Sequence, residues 1–223
     1  MGAGFGEIVA RQLFGGYGRN LVNPLAVAVV FVGTGYPALL EQAAMMPGPG
    51  PVAGLSSWTC FGPACPLSPG AFTLSHALLA DMPVLPGEAS FLVALCGLFL
   101  LLRARALDGR WPMGTGVGLI VAATVAVGLR GDAGVIAMLQ GAGLLPALAA
   151  AGLDVYSLPR TPEMRLPAGI VYGMMYVLLR TSGSVVPPAF AALLLVNVLT
   201  PLGDTVVIGR RARRWASGEG TAA

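Results

Sequence analysis

The side chains able to do chemistry are few and scattered. His76 is the single histidine, so neither a Ser-His-Asp arrangement nor a histidine-rich metal cluster can be built. Cys60 and Cys65, in "CFGPAC", are spaced so that a disulfide would close a short loop in an oxidising compartment. Zinc and iron–sulfur sites need four ligands, and nothing completes such a set here. Cys96 falls in an apolar run and reads as a small core residue. Glu88 stands at the mouth of another apolar run, where an acid either handles protons or ions or stabilises the positive end of a helix. Asn20 and Asn23 precede Pro24 and can cap a helix that the proline begins, satisfying freed backbone groups. Asn197, Thr200 and Asp204 interrupt the last apolar stretch beside Pro201, which frees a carbonyl; an interhelical hydrogen bond is their simplest role. The glycines follow no phosphate-loop or dinucleotide spacing.

These residues must be positioned by membrane helices. The chain of 223 residues is 56% hydrophobic and 10% charged, with a mean hydropathy of +0.78, whereas soluble domains carry about 25% charged residues. The expected fold is all-α, a polytopic integral membrane protein of about six transmembrane helices. Apolar runs place the spans near 23–40, 88–102, 114–129, 132–152, 166–179 and 185–208. Trp58, Trp111 and Trp215 fall near the expected membrane interfaces, where indoles anchor helices.

All thirteen basic residues are arginines, and all but Arg130 and Arg180, which fall in the other loops, mark alternate loops. Arg11 and Arg19 precede the first span, Arg103, Arg105 and Arg110 follow the second, Arg160 and Arg165 follow the fourth, and Arg210, Arg211, Arg213 and Arg214 follow the sixth. By the positive-inside rule both termini are cytoplasmic. Arginines scattered beside apolar runs form no nucleic-acid surface; lipid is the expected neighbour. Residues 1–20 lack the basic start, apolar stretch and cleavage site of a secretory leader, so the first span is expected to direct insertion. Residues 1–22 are then a cytoplasmic segment, 23–208 the membrane domain and 209–223 a basic, disordered cytoplasmic tail. The outer loop, about 41–87, contains "PGPGP" and is expected to be irregular or re-entrant. Irregular backbone at membrane depth must be buried in protein or line a cavity, and short, broken helices meeting in mid-membrane are how polar sites are built there.

The segment "LFGGYGRNLVNPLAVAVVFVGTGYP" resembles the signature of the RnfD/NqrB family, a Phe-Gly-Gly-x-Gly-x-Asn-x-x-Asn-Pro run leading into a membrane helix. Three later segments are similar to family landmarks in the same order: "LPGEASFLVALCGLFLLL" followed by "GRWP", then "RLPAGIVYGMMYVLLR", then "PPAFAALLLVNVLTPLGD". The resemblance runs from about Arg11 to Asp204 and begins in the middle of the family pattern. It implies a short form lacking roughly the first four of the family's usual ten helices. It further implies a membrane subunit of a redox-driven ion-pumping complex, working beside other membrane subunits that carry redox centres.

The family attaches FMN through a phosphoester to a threonine of Ser-Gly-Ala-Thr-Pro-Leu. The corresponding stretch here is "SPGAFTLSHALL". Aligned on Gly70, Ala71 and Leu74, the acceptor position holds Phe72, which has no hydroxyl; Thr73, one residue on, would serve if the loop shifted register. Phe72 would otherwise stack on a ring or pack the loop. The resemblance also offers Asn20, Asn23 and Glu88 as groups at a flavin or quinone site. Two other functions stay open: a flavin-less accessory subunit of a larger respiratory or photosynthetic complex, and a solute channel related to urea transporters, whose fold the family's is similar to.

Overall fold

A computed structural model describes residues 1–13, 16, 20–36, 91–130, 144–154, 156–182 and 186–217, and these form helices and turns with no strand among them. In chain order the helices are α1 (Gly2–Glu7), a π-helical turn (Ile8–Gln12), α2 (Pro24–Gly35), α3 (Phe91–Arg103), α4 (Arg110–Arg130), α5 (Leu144–Leu153), α6 (Pro162–Thr181) and α7 (Pro188–Ala216). Each expected span carries a helix among the described residues, though α2 ends at Gly35, short of the run that suggests it. Among the described residues only α7 is long and apolar enough to cross a membrane by length and composition.

The closest packing joins α4 and α6, which run parallel because α5 returns the chain between them. Both carry glycines one turn apart on the contact face, Gly114 and Gly118 on α4 and Gly169 and Gly173 on α6. A Cβ at Gly114 would strike the Leu166 carbonyl, one at Gly118 the Ile170 carbonyl, and one at Gly173 would lie 2.5 Å from the Thr115 carbonyl oxygen. Small residues at this spacing let two backbones meet with no side chain between them. Trp111 and Tyr172 flank the seam with ring centroids 5.4 Å apart. Both are fully buried. Trp111 is therefore not the interface anchor expected of it: its position at the start of α4 points it into the bundle, onto α6.

α7 packs antiparallel to α6, with Met164 of α6 against Gly203 of α7. The core continues through Leu144, Ala147, Leu148 and Ala151 of α5 and Phe190, Leu193 and Val196 of α7. The first helix lies outside every expected span. α1 runs antiparallel on α2, because Gly2 and Gly6 admit Val32, Ala28 and the Pro24 carbonyl where a Cβ would collide, and Phe5 stacks on Phe31 at 3.9 Å.

Two further expectations are corrected. α7 continues to Ala216, through residues 209–216 that the sequence places in a disordered tail: arginine is a good helix former, and Arg211 reaches back to Glu163 of α6 at 2.6 Å. Cys96 is exposed on α3, not in the core, since α3 turns Val93, Leu95, Phe99 and Leu100 outward as well.

Candidate functional site

The N-terminus of α2 and the C-terminus of α5 meet inside the bundle, against the side of α7. Asn23 stands at the cap of α2, and its Oδ1 accepts from the Leu25 N–H at 3.0 Å and the Ala26 N–H at 3.2 Å, as an asparagine before a first-turn proline is suited to do. Its Nδ2 donates at 3.1 Å to the Ala150 carbonyl in the last turn of α5, which also accepts from the Asp154 N–H at 3.2 Å. Asn23 thus joins the electropositive end of one helix to the electronegative end of another.

Asn197, fully buried on α7, closes the arrangement. In the amide orientation that satisfies both of its ends, its oxygen accepts from the Asn23 N–H at 3.0 Å, and its nitrogen donates to the Ser157 carbonyl at 3.2 Å and the Leu193 carbonyl at 3.3 Å. Asn20 does not cap. Its Nδ2 donates to Asp154 Oδ2 at 2.8 Å, tying the segment before α2 to the residue after α5. Sequence reasoning misses Asp154, although it is the sole acid between Asp132 and Glu163 and directly follows a short apolar helix.

An open cavity of about 510 Å³ lies beside this knot, with Glu7, Arg11, Asn20, Asp154 and Tyr156 at its polar side and Pro24, Leu25 and Ala28 at its apolar side. Glu7 and Arg11, one turn apart on the same helical segment, are paired at its edge at 2.9 Å. The cavity can take a flat group with a polar edge, because mostly apolar walls with a few placed polar groups are the usual composition of a ligand site.

A second polar layer lies further along α7. Asp204 accepts from the Arg160 N–H at 2.9 Å, the Thr161 N–H at 3.1 Å and the Thr161 hydroxyl at 2.5 Å. It holds the turn that starts α6. Seven residues separate Asp204 from Asn197, about 10 Å along a helix, so the first knot sits well inside the bundle when the second marks its edge. At that edge Asp108 Oδ1 accepts from the Arg110 N–H at 3.0 Å and its Oδ2 from Arg165 at 2.6 Å.

The amino-acid sequence matches the pattern of the NQR2, RnfD, RnfE family over residues 1–213, which takes in both polar layers and the glycine seam. The chain belongs to this family. It is 26% identical, over 97% of its length and 56% of the relative's, to the NqrB subunit of the Na(+)-translocating NADH-quinone reductase of Klebsiella pneumoniae (strain 342). It is 25% identical, over 96% of its length and 55% of the relative's, to the NqrB subunit from Haemophilus influenzae (strain PittEE). The chain spans about half the length of these relatives. Of the family-derived candidates, Asn20 and Asn23 are brought together at the knot. Gly70, Ala71, Phe72, Thr73 and Glu88, with Cys60, Cys65 and His76, lie outside the described residues.

Two outcomes follow from this geometry. Asn23→Ala removes a cap and one of the two hydrogen bonds to the Ala150 carbonyl, so thermal melting of the purified chain should show a loss of about 2 kcal/mol. Asp108 titrates low: the Arg110 N–H and then the Arg165 guanidinium hold its carboxyl below the ordinary 3.8. A depressed carboxylate stabilises the fold above its unfolded value, and that contribution is lost as pH falls through the folded value. Asp108→Asn should therefore melt lower than wild type at neutral pH, by under about 1 kcal/mol for so exposed a pair, and the gap should close only below pH 3.8.

Proposed function

We propose that this chain is a membrane subunit of a multi-subunit complex that couples electron transfer to ion translocation, and that it shapes a flavin or quinone site. The family match across residues 1–213 carries this reading. Relatives named as subunits of a Na(+)-translocating NADH-quinone reductase support it. In this reading the chain crosses a bacterial inner membrane six times with both termini inside, through a membrane domain of residues 23–208, and residues 41–87 form an irregular outer segment. Asn23 and Asn197 fix two helix ends inside the bundle, while Asn20 and Asp154 present polar edges to the adjoining cavity, where a quinone headgroup or flavin edge would find hydrogen-bonding partners beside an apolar wall. FMN would supply one- and two-electron chemistry when bound. Phe72 at the aligned acceptor position offers no oxygen for a phosphoester, so covalent attachment falls to Thr73 or does not occur.

Purification from native membranes in mild detergent tests the assignment. Co-purification with redox-active subunits, together with loss of a donor-driven membrane potential on deletion of the chain, is the expected result; recovery alone, with the potential intact after deletion, would overturn it. Mass spectrometry of the peptide spanning residues 66–79 decides the flavin. An FMN adduct on Thr73 that disappears in Thr73→Val makes this a flavoprotein, and an unmodified peptide leaves a quinone-site subunit or the flavin-less accessory subunit that Phe72 favours.

A further inference from the structure

At the arginine-rich end of the bundle a second open cavity, about 630 Å³, lies between the end of α3, the start of α4, the end of α5 and the start of α6. Leu102, Arg105, Asp108, Gly152, Leu158 and Arg165 line it. Arg165 is held in place: one terminal nitrogen donates to Asp108 at 2.6 Å and Nε to the Pro159 carbonyl at 3.3 Å. Arg105 is different. Its guanidinium makes no hydrogen bond or ion pair among the described residues, and its backbone sits at φ +54°, a left-handed conformation that glycine or asparagine adopts at lower cost. That conformation ends α3, the Ala106 N–H donating to the Leu101 carbonyl at 3.0 Å and the Arg105 N–H to the Leu102 carbonyl at 3.1 Å, so the backbone here needs no arginine and leaves its side chain open for another task.

Among the described residues Asp108 is the single lining carboxylate against Arg105 and Arg165, and Arg103 and Arg110 stand close by in the chain, so the cavity has positive charge to spare. Leading away from it, α3 exposes Leu95, Phe99 and Leu100, an apolar track continuous with a basic pocket. A free phosphate would use only the pocket. We infer that the cavity binds the phosphate headgroup of an anionic phospholipid, Arg105 and Arg165 meeting the phosphate and the α3 face carrying an acyl chain. Basic pockets between membrane helices select anionic headgroups in this way. The inference rests on the membrane reading above and concerns a site apart from the asparagine knot.

The test uses the full chain, reconstituted in phosphatidylcholine nanodiscs and titrated with phosphatidylglycerol, with retained lipid counted by native mass spectrometry. Wild type should prefer phosphatidylglycerol, and Arg105→Gly should bind it about fivefold more weakly. Lipid-free Arg105→Gly should melt at or above wild type, because glycine relaxes the positive φ; a merely structural arginine would move the melt downward. Arg105→Lys should retain part of the preference, and Arg213→Gln, on the far tail of α7, all of it. Equal affinity of Arg105→Gly and wild type overturns the site, as does full displacement of the lipid by equimolar inorganic phosphate, which would assign the cavity to a soluble anion. A chain that stays out of the nanodiscs overturns the membrane reading and the site together, whereas insertion without headgroup preference overturns the site alone.

Discussion

Gly169→Ala should destabilise the bundle by about 3 kcal/mol, near the upper end for overpacking a tight contact, and Gly169→Val should prevent the chain from accumulating. A Cβ at this position would stand 2.5 Å from the Trp111 carbonyl oxygen, 2.9 Å from the Thr115 nitrogen and 3.1 Å from the Gly114 Cα. All three are backbone atoms, so no rotamer change relieves the clash and α4 must move bodily off α6. Gly116, on another side of α4, is the internal control. A Cβ there meets nothing within 4 Å, and Gly116→Ala should gain about 1 kcal/mol from helix propensity alone. Thermal melting of both variants separates a backbone-tight seam from a general intolerance of alanine: two variants melting alike would refute the seam.

Asp204→Ala is the second large effect, a loss of about 4 kcal/mol. The carboxylate takes three donors from the turn before α6, and Thr161, which supplies two of them, is buried. Donors stranded in the interior cost about 1–3 kcal/mol each. Asp204→Asn keeps one acceptor oxygen but turns an amino group toward a donor, so it should fall between, near ~2 kcal/mol. Thr161→Val removes only the hydroxyl bond. Because the two residues share that contact, the double variant Asp204→Ala/Thr161→Val should be less damaging than the sum of the singles; strict additivity would show that the hydroxyl bond contributes nothing.

The helices are more legible in the sequence than their contacts. Asn23 before Pro24 and the apolar runs that follow are local signals, readable from a few neighbouring residues. Asn197 and Asp204 can be recognised as misfits in an apolar helix, but their partners, Asn23, Ser157, Arg160 and Thr161, lie far away in sequence, and no local pattern names them. α1 escapes notice because three of its six residues are glycine, a composition that argues against a helix in isolation. Those same glycines make it possible, since α1 is held by packing on α2. The expectation for Trp111 fails for a related reason: a tryptophan near the end of an apolar run can face lipid headgroups or the bundle, and the choice belongs to α6. Asn20 is expected beside Asn23 as a cap, yet it reaches instead to Asp154, which only the folded chain brings near.

The glycine seam has a consequence for synthesis. Its two halves are separated in the chain by residues 131–161, α5 among them, so α4 leaves the ribosome with a bare strip of backbone that has nothing to lie against until Gly173 has emerged. During that interval the nascent chain displays an unmet surface of the kind that invites capture by insertases and proteases. A pause or premature stop before α6 would leave a fragment correctly threaded yet permanently open, marking it for quality control without any exposed charge or unfolded domain to signal the fault.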